Sequence, residues 1–423
     1  MILIAIEKWV LSFRKIDVSD IQENLRINRH SPAFWRAAIG VATGGFSIFS
    51  LLYCAQPLLP VFAVDFHISP AQSALAISLP SMLTAFSMMI SASLSEVIGR
   101  RIIMIGALVG ASTATILAGF VREWWELLFL RALMGISLGG LPAVTMAYLA
   151  DEMEPNAIGL AMGLYIGGSG IGGMLGRFVV AALGDWASWR VALELIGLFG
   201  LTASIVFAFA LPASRNFKPQ KPELTALLMG LVRESRDPGL RLLVFESFVM
   251  MGSYVMMFNY ISFRLMDAPF NLSQMAVGGI FIVYILGSFS SAWMGDLATR
   301  YGRRKIFPLG IMIMMAGVIC TWFDFLPMII LGLAAITAGF FGAHSVASSW
   351  IGLRASPGGR AQASSIYLTC YYTGSAILGW TGGFFWSSGQ WPAVSGFALT
   401  LLAMALFVAW RLAHIPPPAS SQG

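Results

Sequence analysis

Four ionisable side chains, Arg131, Arg177, Glu246 and His344, lie inside long apolar stretches of the chain. A charge held in hydrocarbon costs ~2.5–3.5 kcal/mol on insertion scales unless it meets water or a partner. Proton transfer is the chemistry open to two of them. Histidine titrates near neutral pH, and a carboxyl can be loaded and unloaded, so either His344 or Glu246 can carry a proton. Glu246 lies about six residues into its stretch, His344 about eight and Tyr371 with Tyr372 about ten, so all can face one cavity. The alternatives are structural: an interhelical hydrogen bond for His344, and a cap or ion pair for Glu246. Arg131 stands about seven residues from the end of its stretch, ~10 Å by helix rise. Gln56 stands at a similar depth, so the two are expected to share a polar pocket. An arginine reaching out to the interface is the other reading of Arg131, and also of Arg177. Asn259 and Tyr260 are candidates to line a solute path.

The elements that must position these groups are twelve apolar stretches. They cover about 38–61, 71–91, 102–121, 124–150, 157–183, 190–211, 240–263, 273–296, 305–324, 327–352, 361–386 and 391–412. Each is near the ~20 residues that cross a bilayer as a helix. Lipid offers the backbone no hydrogen-bond partner, so an open chain crosses it only as helix. The composition agrees: of 423 residues 57% are hydrophobic and 11% charged, with a mean hydropathy of +0.78. An all-α membrane protein is expected. Its parts are a tail over 1–37, a six-helix bundle over 38–211, a linker over 212–239, a second bundle over 240–412 and a tail over 413–423.

The net charge of +6 does not point to nucleic acid, because the basic residues cluster between apolar spans. With the N-terminus inside, 21 of the 26 Lys and Arg fall on the cytoplasmic side and three on the outer side. The positive-inside rule then places both termini in the cytoplasm. Cys54, Cys320 and Cys370 are scattered and odd in number, so free thiols are expected. No GK[ST] phosphate loop is present, which argues against direct ATP drive. No cofactor, metal or catalytic cluster is expected.

The two halves repeat. Gly99-Arg100-Arg101 recurs as Gly302-Arg303-Arg304 at an offset of 203 residues. The run from Gly168 through Gly172, Gly173 and Gly176 recurs from Gly374 to Gly383 at an offset of 206. Parallel repeats of six spans are the sequence form of a two-lobed secondary transporter, whose lobes rock about a site between them. Glycine allows the tight turn before each arginine pair, and glycines one turn apart allow close helix packing. The first hinge loop carries Glu96 and the second Thr299. An asymmetric latch is therefore expected, with Glu96 near the start of span 11 at 361–364.

These motifs resemble those of the major facilitator superfamily. Leu94–Arg101 and Gly295–Arg304 resemble its motif A, and Arg131–Gly140 resembles motif B, whose arginine the family uses in proton or substrate coupling. The glycine run of span 5 resembles motif C of proton-coupled exporters, with Gly173 where that motif has Pro and Arg177 where it has Gly. The strings Tyr53–Pro57, Met162–Ile166, Gly172–Arg177 and Ala343–Gly352 are similar to YnfM-type inner-membrane transporters, a branch grouped with sugar-efflux and drug-sensitivity transporters. The resemblance implies a bacterial inner-membrane transporter that exports a small organic solute. Proton-coupled or facilitated uptake and a non-transporting sensor are the alternatives. Span 1 lacks the acid many drug–proton antiporters carry there, which argues against cationic-drug export by the usual route. Substrate contacts are expected from Gln56, Arg131, Asn259, Tyr260, His344 and Tyr371, and proton coupling from Arg131, Glu246 and His344. The expected partners are a small-molecule substrate, protons and lipid, with a monomer as the working unit.

Overall fold

The computed structural model describes residues 26–217, 224–356 and 359–416. The N-terminal tail and parts of the linker and C-terminal tail lie outside the described residues. Among the described residues, ten helices are long and apolar enough to cross a membrane. In order they are span 1 (Pro32–Asp65), span 2 (Pro70–Ile98), span 3 (Arg100–Leu117), span 4 (Trp124–Glu152), span 5 (Pro155–Trp186), span 6 (Trp189–Ala210), span 7 (Pro238–Met266), span 8 (Gln274–Tyr301), span 10 (Leu326–Arg354) and a last helix, Arg360–His414. That last helix is 55 residues long and has non-helical backbone at Gly389 and Gln390, so it holds two spans, 11 and 12. Span 9 is Arg303–Cys320. Twelve spans result, and large apolar side chains such as Phe209, Trp186 and Phe289 are exposed on their outer faces, as lipid contact requires.

Local sequence explains where the spans start and break. Ser31, Ser69, Asp237 and Ser273 each accept a bond from a backbone N–H of the first turn, and Pro follows directly at three of these four caps. A proline there loses no helical bond, since that N–H has no partner anyway. Span 1 breaks after Tyr53 into a 3-10 turn, Gln56–Leu58, because Pro57 and Pro60 have no N–H to donate. Span 4 breaks before Pro142.

The duplication is visible in atomic detail. Gly99 and Gly302 both have positive φ, +111° and +89°, which side chains with a Cβ disfavour. Arg101 Nη2 donates to Ala208 O at 2.6 Å, and Arg304 Nη2 donates to Ile415 O at 2.9 Å. In each half the second arginine of the hinge thus caps the end of the sixth span, where unpaired carbonyls and the helix dipole favour a cation. Span 5 lies on span 1 through Gly168, Gly172 and Gly176, where a Cβ would strike the Ala42, Phe46 and Ser50 backbone. Span 11 lies on span 7 in the same way at Gly374. Gly173 is not part of this ladder; it faces Arg177 and Phe49.

A candidate transport site between the two halves

Arg131 is 1% exposed and lies wholly inside the first half. Its Nε donates to Ala76 O at 2.7 Å, Nη1 to Leu51 O at 3.0 Å, and Nη2 to Leu52 O at 2.5 Å. Each acceptor has lost its helical donor. Pro80, four residues after Ala76, has no N–H, and the helix of span 1 stops at Tyr53 before it can supply bonds to Leu51 and Leu52. The guanidinium replaces three backbone bonds removed by a proline and a helix break. Arg131 therefore makes no hydrogen bond to Gln56 among the described residues: the broken backbone takes its donors.

Gln56 joins the halves instead. Its Nε2 donates to Asn259 Oδ1 on span 7 at 2.7 Å, and both residues are fully buried. Its Oε1 accepts from Arg177 Nε on span 5 at 2.6 Å. Arg177 also donates through Nη1 to Gly173 O. Its guanidinium carbon sits 4.7 Å from the ring centre of Tyr53, 4.7 Å from Tyr284 and 5.2 Å from Phe281. Such faces attract a cation, by ~2 kcal/mol or more when desolvated. The importance of Arg177 was not legible in its span, because the rings around it come from spans 1 and 8.

This network belongs to a seal on the face remote from the termini. Above it, Met275 N donates to Asp185 Oδ2 at 3.2 Å, a Cβ on Gly383 would meet Ala71, and Gly278 meets Ala181. Below it the halves part. Along the stripe of span 5 that faces span 8, a Cβ on Gly170 would lie 3.6 Å from Ser288 Oγ, while one on Gly167, Gly163 or Gly159 would meet nothing within 4 Å. The structure is closed on the far face and opens as a crevice toward the termini.

Glu246, His344 and Tyr371 are brought together in the second half, as their depths suggested. With Tyr367, Phe340 and Met250 they line a closely packed pocket with no room for a water molecule. His344 Nδ1 is 2.8 Å from the Tyr367 hydroxyl, and the His344 and Tyr371 rings are 5.0 Å apart. Neither carboxyl oxygen of the fully buried Glu246 has a hydrogen-bond partner. An unpaired carboxylate there is strongly disfavoured, so the group is suited to holding a proton. Tyr260 is elsewhere: its hydroxyl donates to Trp380 O and its ring packs on Phe263 and Trp386.

On the termini face, Arg100 Nε pairs with Asp151 at 2.5 Å and Arg303 Nε donates to Ser349 Oγ at 3.1 Å. Glu96 makes no hydrogen bond or ion pair among the described residues, so the expected polar contact with 361–364 is absent here. Asp237, just before span 7, accepts from Arg354 Nε and Nη2, both at 2.8 Å, and from Leu240 N at 2.6 Å. Partial burial pushes its carboxyl up, but the bonds from Arg354 and the backbone outweigh this and hold it below the usual carboxylate range. Glu152 accepts from the N–H groups of Arg215 and Asn216, tying the start of the linker to span 4.

The sequence model of the Major Facilitator Superfamily matches residues 41–291 and 247–423. The MFS-type transporter YybF of Bacillus subtilis is 42% identical over 388 residues, 92% of this chain and 96% of that protein. The inner membrane transport protein YnfM of Escherichia coli is 42% identical over 391 residues, 92% of this chain and 94% of its own. A solved structure of a bacterial homolog of the human lysosomal transporter Spinster, inward-facing and unoccupied, superposes with a TM-score of 0.74 at 15% identity, covering 90% of this chain and 97% of that one. The nucleoside transporter NupG, as a mutant, gives 0.74 at 14% identity, covering 89% and 99%. Two repeated six-span halves, a polar interface between them and relatives of this similarity lead to one conclusion: the chain belongs to the major facilitator superfamily of membrane transporters.

Proposed function

We propose that the protein exports a small organic solute across a bacterial inner membrane in exchange for protons, by alternating access. The observation that carries this reading is the asymmetry of the interface: sealed through Gln56, Asn259 and Arg177 on one face, parted at Gly159 to Gly167 on the other. The concentration of Lys and Arg assigns the termini face to the cytoplasm, so this state is open inward. Glu246, with His344 beside it, is the proton carrier. Glu96 meets the start of span 11 only in the opposite, outward-open state. A monomer suffices, since one chain supplies both halves, and its partners are the solute, protons and lipid.

Flux measured in inverted vesicles tests the direction. Solute entry driven by an acid interior is the expected result. Accumulation in right-side-out vesicles driven by an acid exterior would show uptake instead.

A further inference from the structure

Arg177 is a buried cation with no counter-ion among the described residues. It is 2% exposed, and the ion pairs among the described residues do not include it. A guanidinium offers five N–H donors in a planar fork that matches a carboxylate. Only Nε and Nη1 donate, to Gln56 and Gly173, and Nη2 has no acceptor among the described residues. Next to it the buried Tyr254 and Tyr284 hydroxyls lie close to each other and make no well-formed hydrogen bond among the described residues. The Arg177 guanidinium over the Tyr284 ring, with Tyr254 beside that ring, thus stands at the roof of the crevice, where the exposure of the span 5 stripe ends.

From that point a wall of rings runs into the second half. Tyr284 and Tyr254 are 5.8 Å apart, Tyr254 stacks on Phe340 at 4.2 Å with an interplanar angle of 12°, and Phe340 stacks on His344 at 5.9 Å and 14°. An inorganic anion would use only the donors, and a neutral aromatic only the wall. Building on the transport reading above, we propose that the solute is an aromatic carboxylate: Arg177 Nη2 and the tyrosine hydroxyls hold its carboxylate, and its ring lies along the wall between Tyr284 and His344.

Binding to the purified full chain in nanodiscs tests this with four probes: benzoate, its neutral amide benzamide, benzylamine and acetate. Burial of its ring is expected to make benzoate bind tighter than acetate, and hydrogen bonds to a charged group are worth about 1.5–3 kcal/mol, so it is expected to bind at least about tenfold tighter than benzamide. Arg177→Gln should remove that preference, and Arg177→Lys should keep part of it. The wild-type ranking decides even if the glutamine variant fails to fold. Undetectable benzoate binding, a benzoate affinity matched by benzamide, benzylamine or acetate, or a preference that survives Arg177→Gln would overturn the solute class. Those outcomes leave the transport reading standing, whereas vesicles that move no solute under any proton gradient overturn that reading itself.

Discussion

Gln56 and Asn259 share a 2.7 Å hydrogen bond that crosses from the first half of the molecule to the second. It lies on the sealed side of the interface, and Arg177 braces it through the other end of the Gln56 amide. A net contribution of about 0.5–1.5 kcal/mol is typical of one such bond. Gln56→Ala should therefore shift the balance toward the state open on the far face by about two- to tenfold. Thiol labelling of Ala181→Cys, which packs on Gly278 within this seal, measures the shift. An unchanged labelling rate would remove Gln56 from the gate.

Arg131 is expected to matter first for folding. Arg131→Met leaves the carbonyls of Leu52 and Ala76 without donors and leaves Leu51 O only the Cys54 thiol, and a buried group left unmet costs about 1–3 kcal/mol. The variant should lose at least about 2 kcal/mol in thermal unfolding, along with its transport. Pro80→Ala restores an N–H toward Ala76, so it should cost less in the Arg131→Met background than alone. A fully stable Arg131→Met protein with no flux would instead assign this residue to coupling.

Glu246 and His344 make separable predictions. Glu246→Gln keeps the shape of the side chain and removes its proton exchange. Gradient-driven flux should disappear while solute counterflow, which needs no net proton movement, continues. His344→Ala should flatten the pH dependence of transport without abolishing it. Gradient-driven flux that persists in Glu246→Gln would exclude it as proton carrier.

The Asp237–Arg354 pair predicts a pH effect outside the membrane. Its carboxyl is held below the usual range in the folded protein. The stability it supplies is therefore complete above the unfolded carboxylate value and is lost as pH falls through the folded value. Asp237→Asn should cost about 1–3 kcal/mol at pH 7, and the difference from wild type should close only below about pH 4. Unfolding midpoints measured from pH 3 to 7 check both points.

The spans, the hinges and the two-fold repeat were legible in the sequence because each rests on local chemistry. Apolar length marks a crossing, and a glycine before two arginines marks a turn that needs positive φ and a cap. The depths of Glu246, His344 and Tyr371 also followed from counting along helices. The partners of Arg131 did not, because its acceptors are backbone carbonyls freed by prolines and breaks on other spans. Arg177 was obscured in the same way: Tyr53, Phe281 and Tyr284 are remote from it in sequence, and only the packing of spans 1, 5 and 8 makes them a cage. Glu96 is different: its expected contact with 361–364 is absent in this structure, and under the proposed cycle it belongs to the outward-open state.

Reciprocal motion of the two halves is the central claim, and paired spin labels measure it directly. Asp185 and Met275 mark the far face, while Asn156 and Arg300 mark the termini ends of spans 5 and 8. In nanodiscs, Gln56→Ala should lengthen the first distance and shorten the second in the same population of molecules. Distances that stay fixed, or that lengthen together, would contradict it.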